Sequence, residues 1–368
     1  MKIGTITFWN SEDNYGQILQ CYALIQFLKW QGHDPFLIKF NNDAKQSTLM
    51  RRILNVFKIF FKSPSLFYQK IRFKSQSNKA KKKYVYVNRQ FSEFRDKYIP
   101  STEKVYLERE LFIDPPEADV YICGSDQIWP SGNPVMYLQF APQSKKRIAY
   151  AASFGGNKPN NLNDVSTFLK TFDYVSLRER SGVELCKELG CNSAELVPDP
   201  TLLLYANVYS NLCSNIKVDS EKYILLYLLG NEISVSVDSI FNFAQNNGLK
   251  IVYVASQGRV DNFPKIYPTI EEWLSLIKNA AYVITNSYHG TIFSLLFNTP
   301  FMTIPLKGLR SKMNVRINDL LEKYGLEERI HSSSLDILFN PINFDTFNIS
   351  QKSEIDIITN KMAEIIKG

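Results

Sequence analysis

Residues 2–40 read KIGTITFWNSEDNYGQILQCYALIQFLKWQGHDPFLIKF, and this stretch decides the fold class. The β-branched run at residues 3–8 predicts a strand, and apolar residues then recur at helical spacing over residues 18–28. Residues 35–40 predict a second strand. Strand, helix and strand in this order form a βαβ unit with parallel strands. The polar turn at residues 9–16 therefore falls at the carboxyl edge of the sheet, where open α/β sheets bind ligands.

Further strand patterns continue this first half of the chain. Each is short and mostly apolar, and most are followed by a polar or glycine-rich turn, as in a parallel sheet whose two faces are both covered. The polar stretch 206–222 is interpreted as the connection to a second half. The additional strands are predicted at residues 118–123, 147–151, 174–177 and near 196–197.

A second alternation of strands and helices begins at residue 223. Helices are predicted near residues 235–246 and at 269–279, and the second of these opens with Thr269 and Glu272 at capping-box spacing. The strands of this half are predicted at residues 223–228, 251–255, 282–285 and 301–305.

The sequence therefore predicts an α/β protein with two facing Rossmann-like, doubly wound parallel-sheet domains. This is a GT-B-like architecture, with an active-site cleft between the domains. The N-terminal domain is predicted at residues 1–205 and the C-terminal domain at 206–345. The closing helix, within residues 346–368, is expected to return and brace the first domain.

Composition excludes several classes of protein. Hydrophobic residues make up 45% and aromatic residues 13% of the 368 residues, which is enough to build a sizeable core and excludes a disordered chain. No apolar run approaches the roughly 20 residues that cross a bilayer, and the N-terminus lacks a signal-peptide pattern, so we expect a cytoplasmic protein. Five cysteines without CxxC spacing and three histidines without an HExxH pattern predict neither a metal site nor a metal cofactor.

Positive charge is distributed unevenly. Lys and Arg exceed Asp and Glu by 43 to 36, and much of this excess lies at residues 45–97, among aromatic side chains. Such a basic, aromatic insertion fits a solvated helical segment whose rings pack on the body, and it also fits association with an anionic membrane surface. No base-reading module accompanies the charge, so no nucleic-acid partner is predicted.

His289 is the sharpest chemical signal in the sequence. It follows a predicted strand and begins a predicted helix, where backbone N–H groups attract an anion beside an imidazole able to exchange a proton. Its neighbours Ser287, Tyr288 and Gly290 are candidate binding residues of the same site. A histidine at a strand–helix junction also fits a structural role.

Positively charged side chains follow two other predicted strands. Arg178 lies at a carboxyl edge, where a guanidinium suits bidentate binding of a carboxylate or phosphate, although an ion pair with Glu179 also fits. The loop after the last strand suits phosphate contacts, closure over the site or simple solvation. Its four cations are Lys307, Arg310, Lys312 and Arg316.

Groups that bind a sugar are concentrated in two loops of the first half. The loop at 124–129 combines a hydroxyl, a carboxylate, an amide and an indole, although a structural turn capped by an aspartate looks similar. Asp199 is another carboxylate candidate, but its two proline neighbours equally fit a structural turn. The candidates around the predicted cleft are Ser125, Asp126, Gln127 and Trp129 in this loop, and Asn14, Tyr15 and Gln17 after the first strand.

Six short motifs together carry a family resemblance. They are NYGQILQCYAL at 14–24, GSDQIW at 124–129, YAASFG at 150–155, SLRE at 176–179, DPT at 199–201 and SYHGT at 287–291. Their order is the one seen in the polysaccharide pyruvyltransferase family, which the chain resembles from Lys2 to about Arg329.

The resemblance implies an enzyme that transfers the pyruvyl group of phosphoenolpyruvate to a sugar. The usual product is a cyclic ketal across two hydroxyls, formed with release of phosphate, and phosphoenolpyruvate is a co-substrate with no further cofactor. The acceptor it suggests is a hexose such as galactose in a lipid-linked capsular or exopolysaccharide precursor. The basic insertion would then act peripherally, at the inner face of the cytoplasmic membrane.

The resemblance also suggests roles for individual residues. His289 matches the family's histidine and is expected to be the general acid or a phosphate ligand, and Arg178 is expected to clamp the carboxylate or phosphate of the donor. Asp126 is expected to position the acceptor or act as the base. Some members carry R-L-H where this chain has Ser287-Tyr288-His289, so one of the four cations after the last strand must replace that arginine.

Two rival functions use the same residues differently. A sugar-nucleotide glycosyltransferase needs an acidic residue for the ribose, and residues 257–261 are a weak candidate for this. A non-catalytic glycan-binding protein would stack sugar on Trp129 and Tyr137.

Overall fold

The computed structural model describes residues 1–41, 74–75, 87–216, 221–256 and 258–367. Most of the basic insertion predicted at residues 45–97 lies outside the described residues, and so does Gln257. No helix in these ranges is both long and apolar enough to cross a membrane.

The N-terminal half is built on a six-stranded parallel sheet in the order β2-β1-β3-β4-β5-β6. Its strands are β1 (Lys2–Ile6), β2 (Asp34–Leu37), β3 (Val120–Cys123), β4 (Lys146–Ala152), β5 (Tyr174–Leu177) and β6 (Glu195–Leu196). The helices of this half are α1 (Tyr15–Trp30), α2 (Phe91–Tyr98), α3 (Glu108–Ile113), α4 (Leu162–Leu169), α5 (Arg180–Glu188) and α6 (Ala206–Leu212).

The C-terminal half is built on a four-stranded parallel sheet in the order β10-β9-β7-β8. Its strands are β7 (Tyr223–Tyr227), β8 (Lys250–Val254), β9 (Tyr282–Thr285) and β10 (Phe301–Thr303). The remaining helices are α7 (Val237–Asn246), α8 (Ile270–Asn279), α9 (Tyr288–Leu296), α10 (Asn314–Lys323) and α11 (Asp345–Lys367). Two parallel-sheet α/β units confirm the predicted doubly wound, GT-B-like fold.

Strand order places two loops at the positions where such sheets bind ligands. The order of connection reverses between β1 and β3 in the first sheet and between β7 and β9 in the second. Ligands bind outside the carboxyl ends of strands at such switch points. The loop at 124–129 follows β3, and Asn286 to His289 follow β9, so both predicted loops lie at a switch point.

The two halves share one apolar core. The Tyr15 ring of α1 stacks on Trp273 of α8 with ring centroids 4.8 Å apart, and the Tyr15 hydroxyl donates to the Pro268 carbonyl at 2.7 Å. The predicted connection 206–222 contains helix α6, which buries Tyr209 against Phe293 of α9. The segment is therefore not a purely polar linker, because one of its faces completes this core.

Helix α11 returns to the N-terminal half. It spans Asp345–Lys367, close to the range 346–368 within which the closing helix is predicted. The Gln351 side chain donates to the carbonyls of Leu202 and Leu204 at 3.0 and 3.1 Å. These contacts place the last helix beside the turn that follows β6.

Candidate active site

Five buried polar residues meet where the carboxyl edges of the two sheets face each other. Three come from the N-terminal half, after β3, β5 and β6, and two come from the C-terminal half, in α9 and α10. None is more than 7% exposed. They are Asp126, Arg178, Asp199, His289 and Arg316.

Arg178 links the two carboxylates of this cluster. Its Nη2 donates to Asp126 Oδ1 at 3.0 Å, and its Nη1 donates to Asp199 Oδ2 at 2.7 Å. The other Asp199 oxygen accepts from the backbone N–H and the hydroxyl of Thr201 at 3.1 and 2.7 Å. The guanidinium is therefore held in one orientation by two charge-assisted hydrogen bonds.

The electrostatics of the cluster keep these groups charged. Burial alone raises the pKa of Asp126, but the positive charge of Arg178 and the nearby His289 lower this pKa overall. Burial also raises the pKa of Asp199, but the interactions with His289 and then with Arg178 lower it. The pKa of Asp199 therefore lies well below its usual range. Burial opposes the charge of Arg178, but the two aspartates raise the pKa of Arg178 overall.

Acid should destabilise the protein through this cluster. Because the folded pKa values of Asp126 and Asp199 lie below the ordinary 3.8, both groups contribute stability above that pH and lose it as the pH falls toward their folded values. We expect the free energy of unfolding, from urea titrations between pH 6 and pH 3, to decrease toward the acidic end. Asp199→Asn should lower stability at pH 6 and flatten this slope. An unchanged slope would contradict the assignment.

His289 lies against the first turn of α1. A Cβ atom placed on Gly16 would come within 2.0 Å of His289 Nδ1, so only glycine leaves room for the imidazole. His289 Nε2 lies 3.6 Å from Asp199 Oδ2, which is too far for a hydrogen bond. This nitrogen is buried and has no hydrogen-bond partner in the described part of the chain. The histidine is thus positioned from the other half of the molecule, with one nitrogen available to a ligand.

Gly16→Ala should damage the site while favouring the helix. Alanine is the better helix former, but its methyl group would displace the His289 ring. Because small misplacements of a catalytic group cost much of its effect, we expect kcat to fall roughly 100-fold. The measurement is kcat together with the melting temperature. An unchanged kcat with a higher melting temperature would show that the histidine position does not depend on Gly16.

The Tyr288 ring lies near the guanidinium groups of two arginines. The guanidinium carbons of Arg178 and Arg316 lie 5.2 and 5.4 Å from its centroid, within the range of cation–π attraction. The Nε atoms of both arginines are buried and have no partner among the described residues. A recess of about 30 Å³ is lined by Arg178, Asp199, Tyr288 and Arg316, among others.

Only one of the four predicted loop cations reaches this cluster. Arg316 is buried there, whereas Lys307 and Lys312 are exposed. Arg310 packs beside Gly230, close enough that a Cβ on that glycine would lie 2.9 Å from Nη1. Arg316 lies on α10 rather than in the preceding loop, and the helix turns its side chain toward Tyr288.

The structure contradicts three predicted acceptor contacts. Trp129 is fully buried and stacks on Tyr137 with centroids 4.8 Å apart, so neither ring offers a face to sugar. Tyr15 is fully buried in the core between the halves. Ser125 is fully buried and donates to the Ala151 carbonyl at 2.7 Å. The Trp129 and Tyr15 rings pack in the core, and the Ser125 hydroxyl lies within the buried cluster, 3.4 Å from Arg178 Nη1 and 3.4 Å from Asp199 Oδ2.

The other predicted residues lie nearer to the surface or at helix starts. Asn14 caps α1 by accepting from the Gln17 N–H, and the Gln17 side chain accepts from Ser11. Ser287 caps α9 by accepting from the Gly290 N–H at 3.2 Å. These contacts account for the local turns, and any contacts with a substrate remain a prediction.

Three features of the site escaped the sequence interpretation. Gly16 belongs to a recognised motif, but nothing local indicates that a histidine far along the chain fills its space. Glu179 follows Arg178 directly and is buried rather than paired with it on the surface. Asp199 has both of the roles that the sequence presents as alternatives, because it caps the structural turn and also binds Arg178.

Two parallel-sheet halves that bring a histidine, two carboxylates and two arginines together at facing carboxyl edges define a GT-B-like α/β protein with a buried, charged interdomain site. The model of the family described as polysaccharide pyruvyl transferase matches residues 14–307, well over half of the chain. The chain belongs to the polysaccharide pyruvyl transferase family, as its motifs indicated.

Comparison with other known proteins adds little about activity. No curated protein gives a significant match to the chain. UDP-GlcNAc 2-epimerase from Methanocaldococcus jannaschii is similar at 15% identity and a TM-score of 0.48, covering 98% of this chain and 93% of the epimerase. The Anabaena protein HepE in complex with UDP-glucose is similar at 9% identity and a TM-score of 0.49, covering 99% and 98%. We base no argument about substrate on likenesses this distant.

Proposed function

We propose that this protein transfers the pyruvyl group of phosphoenolpyruvate to two hydroxyls of a sugar, with release of phosphate. The family supplies the reaction class. The observation that carries the proposal is the pair of buried arginines near Tyr288, Arg178 and Arg316, whose Nε atoms have no hydrogen-bond partner among the described residues. Buried donors without partners are costly, and a ligand with two anionic groups would satisfy them.

Arg316 takes the place of the arginine that some relatives carry before the histidine. It is buried near the ring of Tyr288, whereas the ion pairs with Asp126 and Asp199 are made by Arg178. Two guanidinium groups suit a molecule that bears both a carboxylate and a phosphate.

In the proposed mechanism His289 acts first as the acid. It donates a proton to C3 of phosphoenolpyruvate, and a sugar hydroxyl adds to the electrophilic C2. The neutral imidazole then accepts a proton released by the attacking hydroxyl. The bond from C2 to the phosphate oxygen breaks, and the second hydroxyl then adds to C2 and passes its proton to the departing phosphate. The products are the ketal and inorganic phosphate.

Asp126 suits positioning better than proton abstraction. Its ion pair with Arg178 and its lowered pKa make it a weak base near neutral pH. A carboxylate oxygen on the wall of the site can still accept a hydrogen bond from a sugar hydroxyl. We therefore assign Asp126 to orienting the acceptor, and the base to His289 after its first proton transfer.

The proposed acceptor is a hexose such as galactose in a lipid-linked capsular or exopolysaccharide precursor. The family name supports a polysaccharide substrate. The basic, aromatic composition of residues 45–97 supports work at the inner face of the cytoplasmic membrane.

Both rival functions lose part of their support. The aromatic platform of a glycan-binding protein is absent at Trp129 and Tyr137, because both rings are buried against each other. A nucleotide site needs an acidic residue for the ribose, and the candidate stretch 257–261 contains Asp261. This carboxylate binds Arg259, Lys265 and Tyr253. That carboxylate is already engaged within the C-terminal half.

The test is phosphate release from phosphoenolpyruvate with mass spectrometry of the acceptor. Lipid-linked and p-nitrophenyl galactosides, glucosides and mannosides provide the panel. We expect one acceptor to gain the mass of pyruvate less water, and His289→Ala to lose both signals. His33→Ala is the matched control, because that histidine lies between α1 and β2, at the opposite edge of the sheet. Turnover of sugar nucleotides without any pyruvylated acceptor would overturn the proposal.

A further inference from the structure

Glu179 is a buried carboxyl group that the proposed mechanism does not use. It directly follows Arg178 and is 1% exposed. Its Oε1 accepts from the Ser153 hydroxyl at 2.9 Å, from the Phe154 N–H at 2.8 Å and from the Gly155 N–H at 3.3 Å. One oxygen therefore holds the whole turn after β4, which we name the 153–155 loop.

The 153–155 loop touches the side chain of Gln127. Gly155 has φ +58°, a conformation that favours glycine, and a Cβ placed there would come within 2.1 Å of the Gln127 amide. The backbone of Gly155 and the side chain of Gln127 are therefore in close contact. A shift of the loop would move the amide or leave it unsupported.

Gln127 in turn faces Arg316. With its oxygen turned toward the guanidinium, the Gln127 amide accepts from Nη1 at 3.2 Å and from Nη2 at 3.0 Å. Arg316 comes from the C-terminal half, and Gln127 supplies the hydrogen bonds that reach it from the loop after β3. The contacts thus run without a break from Glu179 through Gly155 and Gln127 to Arg316.

We propose that Glu179 is a positioning residue for Arg316, acting through the 153–155 loop and Gln127. This inference rests on the proposed function, in which Arg316 binds the phosphoenolpyruvate donor. It assigns Glu179 to donor affinity, at a distance from the reacting atoms. Arg178 then binds the donor directly, and the residue after it aligns the second arginine.

The hydrogen bonds of Glu179, rather than its charge, carry this role. All three of these hydrogen bonds use Oε1 as the acceptor, while Oε2 is buried and has no partner in the described ranges. Burial raises the pKa of Glu179 despite the opposing charges of Arg178 and Arg316. Glutamine keeps the accepting oxygen and lacks the charge, which makes Glu179→Gln the conservative replacement.

The experiment compares steady-state kinetics of single and double variants in the full-length enzyme. We expect Glu179→Ala and Gln127→Ala each to raise the KM for phosphoenolpyruvate about ten-fold with a small change in the acceptor KM. Glu179→Gln should stay within about three-fold of the natural enzyme, since its oxygen still accepts. In an Arg316→Ala background, Glu179→Ala should cause almost no further rise in the KM for phosphoenolpyruvate, because the arginine through which Glu179 acts is already missing.

Several outcomes would overturn the inference. They are additive effects of Glu179→Ala and Arg316→Ala, equal damage from Glu179→Gln and Glu179→Ala, or a loss confined to kcat. Glu272→Ala is the matched control, since Glu272 also accepts from a backbone N–H at a helix start and lies in the C-terminal half. If Glu179→Ala does not fold, the cycle is run with Gln127→Ala, which removes only the amide. An enzyme without any phosphoenolpyruvate turnover would instead overturn the proposed function.

Discussion

Replacing His289 with alanine should lower kcat by about a thousand-fold, the range expected when a general acid is removed. The imidazole has one nitrogen available at the site and is the only histidine in the buried cluster of the described residues. Without it, C3 of the donor must take its proton from water. Binding of phosphoenolpyruvate should change much less, because Arg178 and Arg316 supply the clamp.

Single-turnover phosphate release and equilibrium donor binding separate these two effects. His33→Ala, the control in the other edge of the N-terminal sheet, should retain full kcat. A His289→Ala variant that keeps kcat but loses donor affinity would identify the residue as a phosphate ligand. In that case the acid would have to be sought elsewhere in the site.

Arg178→Met should produce the largest loss of stability in the molecule. The substitution leaves Asp126 and Asp199 buried beside each other without their shared cation. Removing one partner of a buried ion pair typically costs about 3–5 kcal/mol, because the remaining charge stays desolvated. Urea unfolding at pH 7 measures the loss, which should shrink in acid as the two carboxylates become protonated.

A neighbouring arginine gives the matched control for this prediction. Arg180 forms an ion pair with Glu322 at 2.8 Å, but the two side chains are 50% and 52% exposed. Exposed pairs contribute little, so Arg180→Met should change stability far less. Adding Asp126→Asn and Asp199→Asn to Arg178→Met should restore part of the lost stability. Equal losses from Arg178→Met and Arg180→Met would contradict the central role of the buried pair.

Local sequence patterns were sufficient for the architecture. The alternation of apolar strands and amphipathic helices predicted two parallel sheets, and the capping box at Thr269 and Glu272 marks the start of α8 as predicted. Strand ends were less accurate: β1 ends at Ile6 rather than at residue 8, and β2 ends at Leu37 rather than at residue 40. Hydrophobic periodicity reports which residues are buried, but it does not report where the neighbouring strand stops.

Site chemistry was predictable where residue type and strand position coincide. Asp126 and Arg178 follow strands of the first sheet, whose parallel order brings them to one carboxyl edge, and His289 follows a strand of the second sheet. The six motifs identified the family, and the match of the family model bears this out. The prediction for Trp129 was wrong, because the sequence of a loop does not show whether a tryptophan ring faces solvent or, as here, packs on Tyr137.

By itself, then, the sequence determined the fold class, the family and the residues that could do the chemistry. Only the tertiary structure decided that Arg316 joins the site while Lys307 and Lys312 stay exposed, that Gly16 makes room for His289, and that Asp199 shares Arg178 with Asp126. The physical reason is the separation along the chain of the residues that interact. Periodicity and capping depend on residues a few positions apart, whereas each of these contacts joins side chains from distant parts of the chain whose approach depends on how the elements pack.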